Sequence, residues 1–343
     1  MPLFGTGFDA RFWLNRRRSG YIGAALTWSL GLSGLCVVVG AIVYPWMGLS
    51  RAGIANIAAA TSICILALVA HGKAMLTNPG TVPRDALPAV LVGASRDEIA
   101  RIDVKSIPLC ARCRQIKPER AHHCTRCGRC VARMDHHCVW VNNCVGAGNL
   151  KFFVLFNLYA LVYSVYALVL SALWWWHATH PSTRVEIALV LCLMAAGLLF
   201  GTVASTALWD QLDVLRTGMT LVEQLKAATQ EGSARRASGS FYEIFGGASD
   251  EFSLTWLLPA DVWFPPSLKL QIFGYVLEEE LGALRRTEKA ATAAVAALTE
   301  SDYDGEHLSP QFTPTDTFGG RCSIERLAVD NHMADWCHKT KVL

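Results

Sequence analysis

The sequence predicts an all-α polytopic membrane protein: four transmembrane helices with a cysteine-rich domain between the second and third. Three observations carry this. Hydrophobic residues make up 52% of the 343 and charged residues only 17%, with eleven tryptophans, which argues against a pair of ordinary soluble domains. Four long stretches are free of charged residues. Seven of the twelve cysteines and four of the ten histidines crowd between Cys110 and Cys144. The net charge of +3 says little by itself; its distribution says more.

Residues 1–19 form a basic N-terminal segment with Arg11, Arg16, Arg17 and Arg18, and nothing in it reads as a cleavable signal peptide. Gly20–Ser50 carries no charge, which places a first span near Tyr21–Tyr44. Ala52–Gly72 is uncharged apart from His71 and places a second near Gly53–Ala70. A bilayer core takes about 20 apolar residues as a helix, so each run within 20–72 is long enough. Residues 73–151 are polar and rich in Cys and His. The region 152–209 holds two further spans. The third, Phe152–Trp176, ends in Trp174, Trp175 and Trp176, an interfacial aromatic belt. The fourth, Ile187–Trp209, is bounded by Glu186 and Asp210. Residues 210–300 form a C-terminal region, in which Leu268–Glu300 reads as helix from apolar Leu270, Phe273, Leu277, Leu281 and Leu284. Residues 81–107 and 230–240 read as solvated and mobile connections, and 301–343 as a disordered tail. Buried core helices of a soluble protein would be the alternative, but four runs of spanning length, each cleanly bounded, argue against it.

Orientation follows from basic residues. Lys73–Lys151 holds thirteen Lys and Arg against six Asp and Glu, whereas the loops at 45–51 and 177–183 hold only Arg51 between them. Both termini and the Cys/His region are therefore expected in the cytosol, on an endomembrane (ER, Golgi or vacuole) or the plasma membrane. That compartment is reducing, so the clustered cysteines are metal ligands rather than disulfides. Cys36, Cys64 and Cys192 fall within spans and read as packing residues; Cys322 and Cys337 lie in the tail.

The Cys/His region is a spacing problem. Cys110, Cys113, His123 and Cys130 follow C-x2-C-x9-H-x6-C. Fourteen residues on, Cys124, Cys127, His137 and Cys144 repeat the pattern. Three thiolates and one imidazole per set suit tetrahedral zinc, so two structural Zn²⁺ are expected, each with all four positions filled and no place left for substrate. Their binding would supply folding free energy to a region poor in apolar residues.

Three groups remain: His122, His136 and Cys138. Cys138 corresponds to Cys124 under the fourteen-residue shift, but Val141 stands where its clamp partner would be, and Asp135 stands where the first copy has Ala121. A thiol beside an imidazole beside a carboxylate is the makings of an activated nucleophile, with His136 as base and Asp135 as its orienting acid. The bland alternative, a buried thiol beside a metal site, leaves the base and the acid unexplained.

The run Asp135-His136-His137-Cys138, followed by Trp140, Asn143, Cys144, Gly146 and Asn149, resembles the DHHC protein S-acyltransferases, as does Lys117-Pro118 with Arg120, His123 and Cys124 before it. Val139 departs from the proline of many members. The resemblance implies two acyl transfers: Cys138 takes a long-chain acyl group from acyl-CoA (palmitoyl-CoA), then passes it to juxtamembrane cysteines of protein substrates. From their place near the thiol, Trp140 is read as covering the thioester and Lys117, Arg120 and Arg126 as candidates for the CoA phosphates, with ordinary solvated positive-inside charge as the alternative for each of the three. Thr77-Asn78-Pro79-Gly80 resembles the family's Asp-Pro-Gly motif with Asn78 in place of the acid. Thr220 and Glu223 resemble its Thr-Thr-x-Glu motif with Leu221 departing, a helix cap or a brace for the active site. Phe241–Gly246 and Trp256–Pro259 resemble its juxtamembrane C-terminal segment.

Two other function classes deserve weighing. A membrane-tethered zinc-binding adaptor would need the eight ligands and leave Asp135, His136 and Cys138 without purpose. A nucleic-acid zinc finger is excluded by four spans and the lack of a basic recognition helix, so the expected partners are the bilayer, acyl-CoA and protein substrates.

Overall fold

A computed structural model describes residues 3–7, 10, 12–89, 108–177, 183–229, 239–247 and 249–277. Among them four helices are long and apolar enough to cross a membrane: Arg18–Met47, Arg51–Leu76, Leu150–His177 and Arg184–Thr217, called spans 1 to 4. Their outer faces leave large apolar side chains uncovered, as at Leu198 and Leu199, each 61% exposed. On a soluble protein such faces would be a liability; against lipid they are the expected surface.

Each helix outlasts the span predicted for it. Charge marks where a helix leaves hydrocarbon, not where its backbone hydrogen bonds stop. Span 4 shows the consequence: Asp210 closes the apolar run, yet the helix continues to Thr217 and ends on Gly218 in the left-handed region at φ 65°. The extension brings Gln211, Val214 and Leu215 up to the Cys/His region. Span 1 passes through a π-helical segment, Val38–Val43, just before Pro45, whose ring and missing N–H disrupt the preceding turn.

The chain forms two compact units, Met1–Thr81 with Cys124–Pro265, and Val82–His123 with Pro266–Leu343. In the first, two apolar clusters sit at opposite ends of the bundle. Val38, Ile42, Ala60, Leu170, Trp174 and Val190 join all four spans at one end. At the other, Cys138, Val141 and Val145 pack on Phe152, Phe153, Val214, Leu215 and Ile244. The second cluster fixes the Cys/His segment onto the ends of spans 3 and 4.

In the second unit Leu109–Cys110 and Gln115–Ile116 form an antiparallel hairpin, and Leu87–Pro88 pairs with Tyr275–Val276. The expected all-α class is thus corrected: the spans are helical, but the Cys/His region is built of short strands. Ligand pairs three residues apart need tight turns to converge on one ion, and such turns join strands rather than continue a helix. The expected solvated connection is also corrected at its start, since Thr81, Val82 and Ala86 are buried. The helix expected over Leu268–Glu300 is Pro266–Phe273 and stops at Gly274, φ 69°, so Leu277 is not part of it. Residues 278–343, with Cys322 and Cys337, and the connection at 230–238 lie outside the described residues.

Candidate active site and metal centres

The fourteen-residue repeat of sequence is a repeat of backbone. In the second unit the Cys113 N–H donates to Cys110 Sγ (3.4 Å), and Arg114 N–H donates to the Cys110 carbonyl (2.7 Å) with Arg114 at φ 54°. In the first unit the Cys127 N–H donates to Cys124 Sγ (3.3 Å), and Gly128, at φ 68°, donates to the Cys124 carbonyl (2.8 Å). A related, tighter turn follows Cys138. The Val141 N–H faces the Cys138 sulfur, Asn142 takes the left-handed position at φ 49°, and the Asn142 N–H donates to the Val139 carbonyl (3.3 Å) rather than to that of Cys138. Positions 114, 128 and 142 are fourteen apart, so Cys138 occupies the first cysteine of a third knuckle whose second cysteine is Val141.

The two quartets are donor clusters. In each, the four donor atoms lie within 4.8 Å of one another. His137 Nδ1 is 3.3 Å from Cys127 Sγ, 3.6 Å from Cys144 Sγ and 3.7 Å from Cys124 Sγ. His123 Nδ1 is 3.1 Å from Cys113 Sγ and 3.5 Å from Cys110 Sγ. Such separations match the edges of a tetrahedron around an ion bound at about 2.0–2.3 Å, and three sulfurs with one imidazole nitrogen fit zinc. Two Cys3His clusters therefore fit two zinc ions, each closed by protein donors.

Strand period separates ligand from neighbour. His136–Cys138 pairs antiparallel with Asn143–Val145, with His137 opposite Cys144 and Cys138 opposite Asn143. Side chains alternate along a strand. His137 and Cys144, directly across from each other, face the donor cluster, while His136 and Cys138 share the other face. A metal held by one face thereby orients the pair on the other.

Asp135 is 1% exposed and saturated with donors. Its Oδ2 accepts from His136 Nδ1 (2.9 Å) and Gln211 Nε2 (3.0 Å), and its Oδ1 accepts from the Leu221 N–H (2.7 Å). Burial works against the charged carboxylate, but these donors, His136 first, hold its pKa below the usual carboxylate range. For His136, burial favours the neutral ring. Bonds to Asp135 and to the Cys138 sulfur outweigh it and raise the pKa to about 9. Burial likewise pushes the Cys138 thiol up, yet the His136 bond and charge, with the Val141 and Trp140 N–H groups, bring it below its ordinary value. Each group thus favours the charged form of the other, imidazolium beside thiolate. With Nδ1 committed to Asp135, Nε2 is the nitrogen left for the sulfur.

The motifs after span 4 support this arrangement. Thr220 and Glu223 form a reciprocal capping box for the helix Leu221–Thr229: Glu223 Oε2 accepts from the Thr220 N–H (2.8 Å) and Thr220 Oγ1 from the Glu223 N–H (3.4 Å). The cap leaves the Leu221 N–H, one of the helix's unpaired first-turn donors, for Asp135. Cap and brace are one device, and because a backbone group does the bracing, Leu221 needs no hydroxyl. Gln211 is a site residue that sequence reasoning missed. The only signal for it was an amide one residue past Asp210, where the helix was expected to have ended.

Asparagines dock the third hairpin on span 2. Asn143 Nδ2 lies 2.9 to 3.3 Å from the carbonyls of Ala74, Met75 and Thr77, and Asn149 Nδ2 donates to Ala74 (3.0 Å) and Cys144 (2.8 Å). They satisfy carbonyls orphaned at the helix end. Asn78 Oδ1 accepts from the Gly80 and Thr81 N–H groups and the Thr81 hydroxyl at 2.9–3.0 Å, a role that needs an acceptor oxygen but no charge.

Below the thiol opens a cavity of about 430 Å³. His136, Cys138 and Trp140 line it together with residues of all four spans, among them Gly31, Cys64, Phe153, Tyr163 and Gly197. From Phe153 to Ala167 it follows span 3 for about 20 Å at 1.5 Å per residue. Its walls are apolar apart from a few hydroxyls, amides and the His136 and Cys138 side chains, and small residues at helix contacts make the room. His136 packs edge-on against Phe153 (5.1 Å), and Trp140 against Phe200 (6.5 Å). Of the basic candidates, Arg126 is exposed in the second knuckle, which belongs to the first unit, while Lys117 and Arg120 are half-buried in the second unit.

A family profile described as DHHC palmitoyltransferase matches residues 104–228. The chain is 34% identical over 269 residues to palmitoyltransferase ZDHHC7 of Mus musculus, covering 74% of this chain and 82% of that protein. It is 34% identical over 260 residues to palmitoyltransferase ZDHHC3 of Homo sapiens, covering 72% and 83%. Over 126 residues it is 39% identical to probable protein S-acyltransferase 16 of Arabidopsis thaliana, covering 36% and 44%.

Proposed function

The chain belongs to the DHHC palmitoyltransferase family and is a multi-pass protein S-palmitoyltransferase, and we propose that it works through an acyl-Cys138 intermediate formed from palmitoyl-CoA. The observation that carries the reading is the Asp135–His136–Cys138 array at the mouth of an apolar cavity.

The Cys138 thiolate attacks the thioester carbonyl. The carbon–sulfur bond to CoA breaks, and the departing CoA thiolate takes the proton from His136 Nε2. The neutral imidazole then accepts the proton of an incoming protein cysteine, whose sulfur attacks acyl-Cys138 and releases the enzyme thiolate. Asp135 keeps its bond to Nδ1–H throughout and holds the ring's orientation. One thioester is exchanged for another, so no nucleotide need be hydrolysed. The acyl chain lies in the cavity, where burial contributes about 0.8 kcal/mol per CH₂, with Trp140 over the thioester. Lys117, Arg120 and Arg126 are proposed as contacts for the CoA phosphates. The eight Cys and His ligands would hold zinc as structure and so orient the strand carrying His136 and Cys138.

The basic N-terminal segment and Cys/His region favour a cytosolic placement of both termini and the site, on an endomembrane or the plasma membrane. Residues 1–19, 73–151 and 210–300 would be its cytosolic parts. Protein substrates would present juxtamembrane cysteines. The test is incubation of purified protein with labelled palmitoyl-CoA: hydroxylamine-sensitive label mapped to Cys138 is expected. Zinc binding without label would mark a membrane-tethered zinc adaptor instead.

A further inference from the structure

We infer that His71 of span 2 is a positioning residue for Cys138: by holding the carbonyl of Trp140 it fixes the peptide whose N–H faces the Cys138 sulfur. The inference rests on the reading of Cys138 as the acyl-accepting thiol.

In the second knuckle the peptide joining Arg126 to Cys127 sends its N–H to Cys124 Sγ at 3.3 Å. Two things hold it: Cys127 is itself a ligand of the donor cluster, and the Arg126 carbonyl accepts from Arg17 Nε at 2.9 Å. The equivalent peptide in the third knuckle joins Trp140 to Val141. Valine binds no metal, so that anchor is gone. The peptide is trans, and in a trans peptide the C=O and N–H point in opposite directions. Whatever holds the Trp140 carbonyl therefore aims the Val141 N–H.

His71 Nε2 lies 3.0 Å from that carbonyl. Its other nitrogen, Nδ1, is 3.0 Å from Trp28 Nε1 in span 1. An indole N–H can only donate, so Nδ1 accepts and the ring proton sits on Nε2, from which it donates to Trp140. The ring is fully buried and stands edge-on to Phe156 at 4.9 Å. On the far side of the turn, span 1 comes so close at Gly23 that a Cβ there would sit 2.6 Å from the Val139 carbonyl. An ionisable side chain within a span is costly and calls for a purpose. His71 does not line the cavity; the turn after the nucleophile is what it touches.

The two ends of the imidazole can be tested separately in the full-length protein in detergent. Glutamine places its amide nitrogen near the position of Nε2 and keeps the bond to Trp140; asparagine ends near Nδ1 and keeps only the bond to Trp28. The readouts are the rate of acyl-Cys138 formation at saturating palmitoyl-CoA, the KM for palmitoyl-CoA, alkylation of Cys138 by iodoacetamide, zinc content and melting temperature. His71→Gln should stay within about three-fold of the parent, and His71→Asn should slow both acylation and alkylation about ten-fold or more, with KM and zinc unchanged. Trp28→Phe, which frees the ring's other end, should lie between them. Parental rates in His71→Asn overturn the inference. So does an equal fall in both His71 variants together with melting temperature or zinc, since His71 then only packs. If the parent itself takes no label at Cys138, the acyl-enzyme reading fails, and the alkylation arm still reports whether His71 bears on the thiol.

Discussion

The second and third knuckles are two closely similar turns, differing in the carbonyl that accepts from their left-handed residue. Both begin with a cysteine, Cys124 or Cys138, both aim the N–H of the third residue on at its sulfur, and both turn through a left-handed residue, Gly128 or Asn142. They differ at that third residue. Cys127 makes the second knuckle half of a metal site. Val141 packs into the apolar cluster on spans 3 and 4 and leaves Cys138 without a second thiolate. In place of a metal, the third knuckle offers His136 as counter-charge. On the proposed mechanism, a turn that suits thiolates for a metal suits a nucleophile once an imidazolium stands in the metal's place.

The sharpest way to break the comparison is to exchange the sulfurs. Cys138→Ser should abolish acyl-enzyme formation and leave two zinc ions per chain, by label and metal assay on the same sample. Zinc falling to one would make Cys138 a ligand and end the distinction between the knuckles. Cys124→Ala and His123→Ala each open one closed set, Cys124 in the second and His123 in the first. Each should lose an ion and, with it, the fold of the Cys/His region and all acylation. Retention of both ions with full activity in either variant would refute the assignment of ligands to sets.

His136→Ala removes the counter-charge and should slow acylation at neutral pH by about 10²–10⁴-fold with zinc retained. The sign of its pH dependence follows from the shifts. In the parent the contact with His136 depresses the Cys138 pKa, so its thiolate forms at lower pH than an ordinary thiol's. The parent's rate should level off at lower pH than the variant's and stay level up to the region of about 9, where His136 loses its proton. Without His136, burial acts to raise the thiol pKa, so the variant's rate should climb with pH and the deficit shrink. A deficit constant across pH, accompanied by zinc loss, would take His136 out of the catalytic role.

Asp135→Asn should show a smaller deficit of the same kind, since it orients the ring without moving a proton. The mildest change is Gln211→Leu. Asp135 keeps His136 and the Leu221 N–H, so the loss should be that of one hydrogen bond, about 0.5–1.5 kcal/mol or roughly two- to ten-fold in acylation rate. A larger loss from Gln211→Leu than from Asp135→Asn would show that the amide does more than steady the carboxylate.

The sequence by itself determined what depends on composition and local spacing. Uncharged runs of spanning length gave the four helices, because hydrocarbon tolerates little else. A fourteen-residue repeat of Cys and His gave both donor sets, and the remainder of that repeat gave Asp135, His136 and Cys138. The strand alternation that parts His137 from its neighbours was also within reach of local pattern, but it was hidden by the expectation of an all-α chain. Only the tertiary structure decided what arrives from far along the chain. Gln211 and Leu221 meet Asp135 across more than seventy residues, and His71 meets Trp140 across sixty-nine. An amide, a backbone N–H and a buried histidine carry no spacing relative to the thiol that would announce them. Their roles come from which helix end is packed where, and that is set by the bundle as a whole.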